Sequence, residues 1–165
     1  MLSLRLFEPA DEQNLVCYLN NPVTVRYLSP KVPFPYTAAD AQWWINTGSR
    51  EGITRAIILD GVLIGCIGAR PGTFEYCRSA EVGYWLAEEY WGRGITGRAL
   101  DLLMAEVEST TEMVRLEAVV FEQNIRSARV LEKAGFEFEG VRRKAIYKDG
   151  ELFDARLFGK VFEQN

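Results

Sequence analysis

The sequence predicts an α/β (α+β) fold, in which one mixed sheet of about seven strands carries helices on both faces. Three observations support this prediction. Apolar residues alternate in some segments and recur every three or four residues in others, Asp-Gly pairs join apolar runs at two places, and no linker or internal repeat divides the chain. Because 165 residues suit one ordinary domain, we predict a single domain over 1–165.

The first half of the chain is predicted to form a strand, two helices and three further strands. Leucines alternate with other residues at the N-terminus, Pro22 stops the first helix, and Thr37 provides an N-cap for the second. Asp60-Gly61, between two apolar runs, is a strong hairpin signal. The predicted strands are 2–6, 56–59, 62–64 and 81–86, the predicted helices are 11–19 and 38–47, and the predicted loops are 29–36 and 71–78.

The second half is predicted to continue as helix, strand, helix and two strands. The longest helix covers about 94–109, where apolar residues recur every four positions along one face. A strand around 116–120 follows, and Asn124 and Gly135 suit the two ends of a helix over 125–133. Asp149-Gly150 joins the last two strands.

Composition limits the classes of protein to which the chain can belong. A net charge of −4 and a pI near 5.0 argue against a general nucleic-acid binder. No apolar run approaches the length of a membrane span, and the N-terminus does not resemble a signal peptide. Three cysteines without regular spacing indicate reduced thiols, so we predict a cytoplasmic protein without nucleic-acid or membrane partners.

The chain contains no histidine, and this absence constrains its chemistry. It removes Ser-His-Asp and Cys-His mechanisms and every zinc site that uses imidazole, and we predict no metal site. A general base must then be a carboxylate, a tyrosine, a lysine, a cysteine or a chain of water molecules.

A glycine-rich loop, Trp91-Gly92-Arg93-Gly94-Ile95-Thr96-Gly97-Arg98, lies between a predicted strand and the longest predicted helix. Glycines allow close approach of a ligand, and free amides at the start of a helix favour an anion such as a pyrophosphate. The loop alone is equally compatible with an ordinary turn. It matches neither the Walker A spacing nor the dinucleotide-binding Gly-x-Gly-x-x-Gly pattern.

A second motif, Asn124-Ile125-Arg126-Ser127, opens a helix that ends near Gly135-Phe136. A capped amphipathic helix accounts for this motif when it is taken alone. In this order and spacing, however, the two motifs resemble those of the GNAT superfamily of acetyltransferases, most closely its RimJ/RimL-like branch, which acetylates ribosomal-protein N-termini. Segments 80–86, 90–94 and 130–136 also resemble that branch. Trp91 and Thr96 depart from the general pattern, which has Gln or Arg and Gly or Ala at these positions.

The resemblance implies a mostly antiparallel GNAT-like sheet and acetyl-CoA as co-substrate. It implies that loop amides bind the pyrophosphate, that arginines neutralise it, and that a strand end and an asparagine hold the pantetheine arm. The residues so implied are Gly92, Arg93, Gly94, Ile95, Thr96, Gly97 and Arg98 for the phosphates, and Trp85, Leu86, Ala87, Asn124 and Ser127 for the arm.

Three residues are predicted to take part in catalysis. The Leu86 amide would polarise the thioester carbonyl. Ser127 would donate a hydrogen bond to the leaving thiolate, because the family's usual tyrosine position is Leu131 here; the alternative is a helix serine that is exposed or bonded back to the helix backbone. Glu81, acting through water, is the favoured base, and Glu117 is the second candidate. An ion pair with an arginine is the alternative for either glutamate.

The acceptor is predicted to be the α-amine of a protein or peptide. A modest carboxylate base suits an amine with a pKa near ~8 better than a lysine-like amine near ~10. The alternatives are a small amine such as a polyamine, amino sugar or antibiotic, and a non-catalytic acyl-CoA-binding module. Either Trp43 or Trp44 is expected at the acceptor groove. Family members often form homodimers, and the sequence leaves the oligomeric state open.

Overall fold

The computed structural model describes residues 1–163 and contains seven strands and four α-helices. The strands are β1 (Leu2–Arg5), β2 (Ile53–Leu59), β3 (Val62–Pro71), β4 (Ser79–Leu86), β5 (Arg115–Phe121), β6 (Glu137–Lys148) and β7 (Glu151–Val161), and the helices are α1 (Glu12–Leu19), α2 (Ala38–Asn46), α3 (Ile95–Thr110) and α4 (Ile125–Lys133). The predicted order of helices and strands is confirmed. Within residues 1–163, no helix is long and apolar enough to cross a membrane.

Strands β2 and β3 are longer than the predicted strands 56–59 and 62–64. The additional residues include Arg55, Gly65 and Gly68, which interrupt the apolar runs on which the prediction rested. Each of these strands pairs with a neighbour on both sides, which keeps such residues in an extended conformation. The error therefore reflects pairing across the sheet, which outweighs local propensity.

The seven strands form one sheet in the order β1-β2-β3-β4-β5-β7-β6. All neighbouring strands are antiparallel except β4 and β5, so the prediction of a mixed, mostly antiparallel sheet is confirmed. The parallel pair is short, because residues 79–81 of β4 pair with residues 115–117 of β5. The two strands then separate, and the centre of the sheet opens between their carboxyl ends.

Helices cover both faces of the sheet, each over its own apolar cluster. Val82 and Leu86 belong to the cluster beneath α3 and α4, and Tyr84 packs against it. Trp85 packs against the cluster beneath α1 and α2. Because side chains alternate along a strand, Glu81 points to the same side as Trp85. The opening at β4 and β5 is therefore bordered by Tyr84 on the α3/α4 side of the sheet and by Glu81 and Trp85 on the α1/α2 side.

Candidate active site

The opening between β4 and β5 forms a cleft of about 800 Å³. Its walls come from these strands, the start of α4, the loop after α1 and the β6–β7 hairpin. The predicted site residues that line it are Glu81, Trp85, Leu86, Thr96, Asn124 and Ser127. The others, Ala87, Gly92, Arg93, Gly94, Ile95, Gly97 and Arg98, belong to the adjoining strand end and glycine loop.

The backbone of β4 presents its amides alternately to β3 and to the cleft. The Ala87 N–H donates to the Ile64 carbonyl at 2.9 Å, and the Ser79 carbonyl accepts from the N–H of Gly72, the residue that follows β3. This pattern repeats every second residue. The backbone N–H of Trp85 therefore also points towards β3, whereas the backbone N–H of Leu86 points into the cleft. Of the three backbone groups predicted beside the pantetheine arm, Leu86 is therefore the one directed towards the opening.

The glycine loop leaves the first amides of α3 available. Gly92 and Gly94 have φ values of +77° and +70°, which favour glycine, and a Cβ at either residue would meet no atom within 4 Å. No side chain caps the helix at Gly94, and the Arg98 N–H makes the bond to its carbonyl. The amides of residues 95–97 precede that bond, and such amides are suited to a phosphate.

Two further contacts shape this end of the cleft. The Trp91 indole N–H donates to the Leu86 carbonyl at 2.8 Å, which joins the loop to the end of β4. The guanidinium carbon of Arg126 lies 4.1 Å from the centroid of the Trp91 ring. The sequence analysis assigned no role to Arg126, because Trp91 lies 35 positions away in the chain. The only available signal was the position of Arg126 at the start of α4. Arg93 donates to the Glu89 carbonyl at 3.0 Å.

Asn124 and Ser127 lie at the start of α4. The side-chain oxygen of Asn124 accepts the Ser127 N–H at 3.3 Å, as an N-cap does. Ser127 is buried, so the alternative of an exposed helix serine is wrong. Leu131, at the family's tyrosine position, is fully buried in the apolar core.

Tyr84 meets Ser127 inside the cleft, a contact that the sequence analysis missed. Their hydroxyl oxygens are 2.6 Å apart, and the two residues are 43 positions apart in the chain. Burial raises the pKa of Tyr84 to about 12, and the hydrogen bond with Ser127 opposes part of this increase. Tyr84 therefore stays protonated at neutral pH and can donate to the serine oxygen, which leaves the serine proton free to point elsewhere.

The two candidate carboxylates differ in their surroundings. Glu81 is exposed to the cleft, and no cation within residues 1–163 lies within ion-pair distance of it. Glu117 accepts from Arg115 at 3.0 Å, and the same guanidinium binds Glu139. Glu117 is also absent from the lining of the cleft. The ion-pair alternative thus applies to Glu117, and of the two candidate bases only Glu81 lines the cleft.

The tryptophan pair on α2 takes no part in the cleft. Trp44 packs edge-on against Phe7, with ring centroids 5.8 Å apart, and Trp43 is exposed on α2. Neither lines the opening, so the expectation that one of them borders the acceptor groove is wrong. In the described part of the chain, no cluster of three His, Cys, Asp or Glu residues could hold a metal ion.

Comparison with known proteins agrees with this geometry. The family model for the acetyltransferase (GNAT) domain matches residues 1–137. Ribosomal-protein-serine acetyltransferase of Escherichia coli (strain K12) is 29% identical over 86 residues, 52% of this chain and 48% of that protein. L-amino acid N-acetyltransferase AaaT of the same strain is 26% identical over 136 residues, 79% of this chain and 80% of that protein.

A solved structure shows the same fold. RimL, a ribosomal L7/L12 alpha-N-protein acetyltransferase in complex with coenzyme A, aligns with a TM-score of 0.85 and 19% identity, over 97% of this chain and 93% of that one. The free amides at α3, the open edge of β4 and the positive side chains beside them fit such a coenzyme. With the family model matching most of its length, this chain belongs to the GNAT acetyltransferase family, and the similarity to ribosomal-protein-serine acetyltransferase agrees with the predicted RimJ/RimL-like branch.

Proposed function

We propose that this acetyl-CoA-dependent N-acetyltransferase acts on the α-amine of a protein or peptide N-terminus. The observation that carries the proposal is that Glu81 is the one carboxylate among residues 1–163 that lines the cleft, in a chain without histidine. Such a base suits an amine that loses its proton near pH ~8. The similarity to ribosomal-protein-serine acetyltransferase supports the same acceptor class.

The glycine loop and the end of β4 would hold the coenzyme. The amides of residues 92–97 would bind the pyrophosphate, with Arg93, Arg98 and Arg126 as cationic partners. The open edge of β4 at Leu86 would accept the amide-containing arm in the manner of an added strand. Because the side-chain oxygen of Asn124 already caps α4, its side-chain NH₂ is the group that would bind the arm.

The bound coenzyme supplies an acetyl thioester, which an amine attacks directly. The Leu86 N–H would donate to the carbonyl oxygen as negative charge develops on it. Glu81 would receive the proton of the amine through a water molecule. Ser127 would donate to the departing sulfur. Tyr84 would donate to the Ser127 oxygen, which would leave the serine proton directed into the cleft.

A small amine is the second candidate acceptor, because the similarity to AaaT extends over more of the chain. A thiol-release assay with acetyl-CoA separates the two, using peptides with free N-termini, the same peptides with blocked N-termini, and a panel of amino acids, polyamines and amino sugars. We expect kcat/KM to be highest for the free peptides, with mass spectrometry placing the acetyl group on the α-amine. Faster turnover of a small amine than of every peptide would contradict the proposed acceptor.

A further inference from the structure

The charge of the cleft differs from that of the whole protein. Within the part of the chain that the structure describes, four charged side chains line it: Arg26, Arg70, Arg126 and Glu81. Three are cationic, although the chain has a net charge of −4. Arg126 stacks on Trp91 beside the glycine loop, where coenzyme phosphates would lie. Arg26 and Arg70 come from elements outside the two coenzyme motifs. Their presence in the cleft therefore needs an explanation other than coenzyme binding.

Arg70 and Glu81 lie directly opposite each other on neighbouring strands. Arg70 is near the end of β3 and is the cross-strand partner of Glu81 in β4, so both point to the side of the sheet that α1 and α2 cover. Both are exposed, yet no ion pair joins either one to another residue among residues 1–163. A guanidinium and a carboxylate are thus presented side by side to a ligand.

Arg26 reaches the same cleft from the loop after α1, where its guanidinium lies 5.1 Å from the centroid of the Tyr27 ring. This loop is held from two sides. The Lys148 ammonium of the β6–β7 hairpin donates to three of its carbonyls at 2.7–2.9 Å, and the Thr24 hydroxyl accepts the Glu88 N–H at 3.2 Å. The backbone of the loop that contains Arg26 is therefore held in place beside the cleft.

We propose that the acceptor carries a carboxylate close to its reacting amine, as an acidic peptide or an amino acid does. Glu81 would meet the amine, and Arg70 and Arg26 would hold the carboxylate, since arginine binds carboxylates through paired N–H groups. This inference rests on the proposed transfer to an amine and adds the chemistry that selects it. It disfavours polyamines and aminoglycoside-like acceptors, whose further positive charges would face two arginines.

The test uses three C-terminally amidated tripeptides, serine-aspartate-alanine, serine-asparagine-alanine and serine-lysine-alanine, so that the second residue alone sets the charge. Free serine and serinamide form a second arm, which reports an α-carboxylate instead of a side-chain one. We expect kcat/KM for the aspartate peptide to exceed that for the asparagine peptide by about tenfold or more, and the lysine peptide to be the poorest. The preference should weaken as salt is raised.

Variants connect the preference to the two arginines. Arg70→Gln and Arg26→Gln should each bring the aspartate-to-asparagine ratio towards one, whereas Arg70→Lys should keep part of it. Arg143→Gln is the matched control: it removes the same charge from an exposed residue of β6 outside the cleft lining, and the ratio should persist.

Two results would overturn the inference. One is equal kcat/KM for the aspartate and asparagine peptides, together with equal values for serine and serinamide; the other is a ratio that survives both glutamine variants. Either result leaves the proposed function standing as long as peptides are acetylated. Conversely, faster turnover of a small amine than of every peptide contradicts the proposed function, while a preference for serine over serinamide would still support the carboxylate site.

Discussion

The hydroxyl of Ser127 lies in the cleft, and its proposed hydrogen bond to the departing sulfur would affect the rate of the reaction. We predict that Ser127→Ala lowers kcat by about 10²-fold, because its proposed partner carries charge mainly in the transition state. The dissociation constant of acetyl-CoA should change by less than about threefold. Steady-state kinetics and titration calorimetry measure the two quantities. If affinity falls in proportion to rate, Ser127 is a binding residue.

Tyr84 is expected to act through Ser127 and not on the substrate. Tyr84→Phe removes the hydroxyl 2.6 Å from that of Ser127 and keeps the ring that packs against the core. We predict a smaller loss of kcat than for Ser127→Ala, and almost no added loss when the two changes are combined. Additive losses in this double-mutant cycle would show that the tyrosine has a separate role. The raised pKa, about 12, predicts no titration of Tyr84 in the rate below pH ~10.

If Glu81 is the base, as proposed, it shapes how the rate depends on pH. The proposed α-amine reacts in its neutral form, so kcat/KM should rise with pH until the amine is deprotonated near pH ~8. Glu81→Gln is nearly isosteric and should lower the rate at neutral pH, with part of the loss recovered at higher pH. Glu117→Gln is the comparison, since Glu117 is bonded to Arg115 and lies outside the cleft lining. A Glu81→Gln enzyme with the wild-type profile would contradict a role as base.

At the scale of the element, the first backbone amides of α3 are proposed to bind the phosphates of the coenzyme together. Gly94→Asp places a negative charge where phosphate is expected, and Gly94→Asn has almost the same shape without the charge. Both tolerate the positive φ of this residue better than most side chains do. We predict that the aspartate variant binds acetyl-CoA at least about fivefold more weakly than the asparagine variant, because repulsion of about 1–4 kcal/mol between unit charges about 4 Å apart corresponds to that loss or more. Equal affinities in folded variants would place the phosphates elsewhere.

At the scale of the whole molecule, coenzyme binding should require no metal. The phosphates are expected to meet amides and arginines, and within the described chain no cluster of acidic, cysteine or histidine residues suits a metal. Acetyl-CoA at one hundred times its dissociation constant should stabilise the protein by about 2.7 kcal/mol. This stabilisation, measured as a rise in the melting temperature, should be the same with and without excess chelator. A shift that disappears with chelator would contradict the metal-free site.

Short-range patterns in the sequence predicted most of the architecture and the two motifs that are expected to bind the coenzyme. Periodicity, caps and Asp-Gly turns predicted all the helices and strands, because each signal lies within a few residues of the element that it marks. The glycine loop and the Asn124–Ser127 cap were predicted for the same reason. The resemblance to GNAT enzymes then implied which of these residues serve acetyl-CoA.

The tertiary structure alone decided which side chains meet. The Tyr84–Ser127 pair, the stacking of Arg126 on Trp91 and the bond between Glu117 and Arg115 depend on strand register and on loops that return to the sheet. Register is fixed by the whole hydrophobic pattern, and a slip by one residue would turn every side chain to the other face. The sequence by itself thus determined the elements and the coenzyme motifs. The fold decided which candidate carboxylate lines the cleft and which arginines line it as well, because both depend on contacts between residues far apart in the chain.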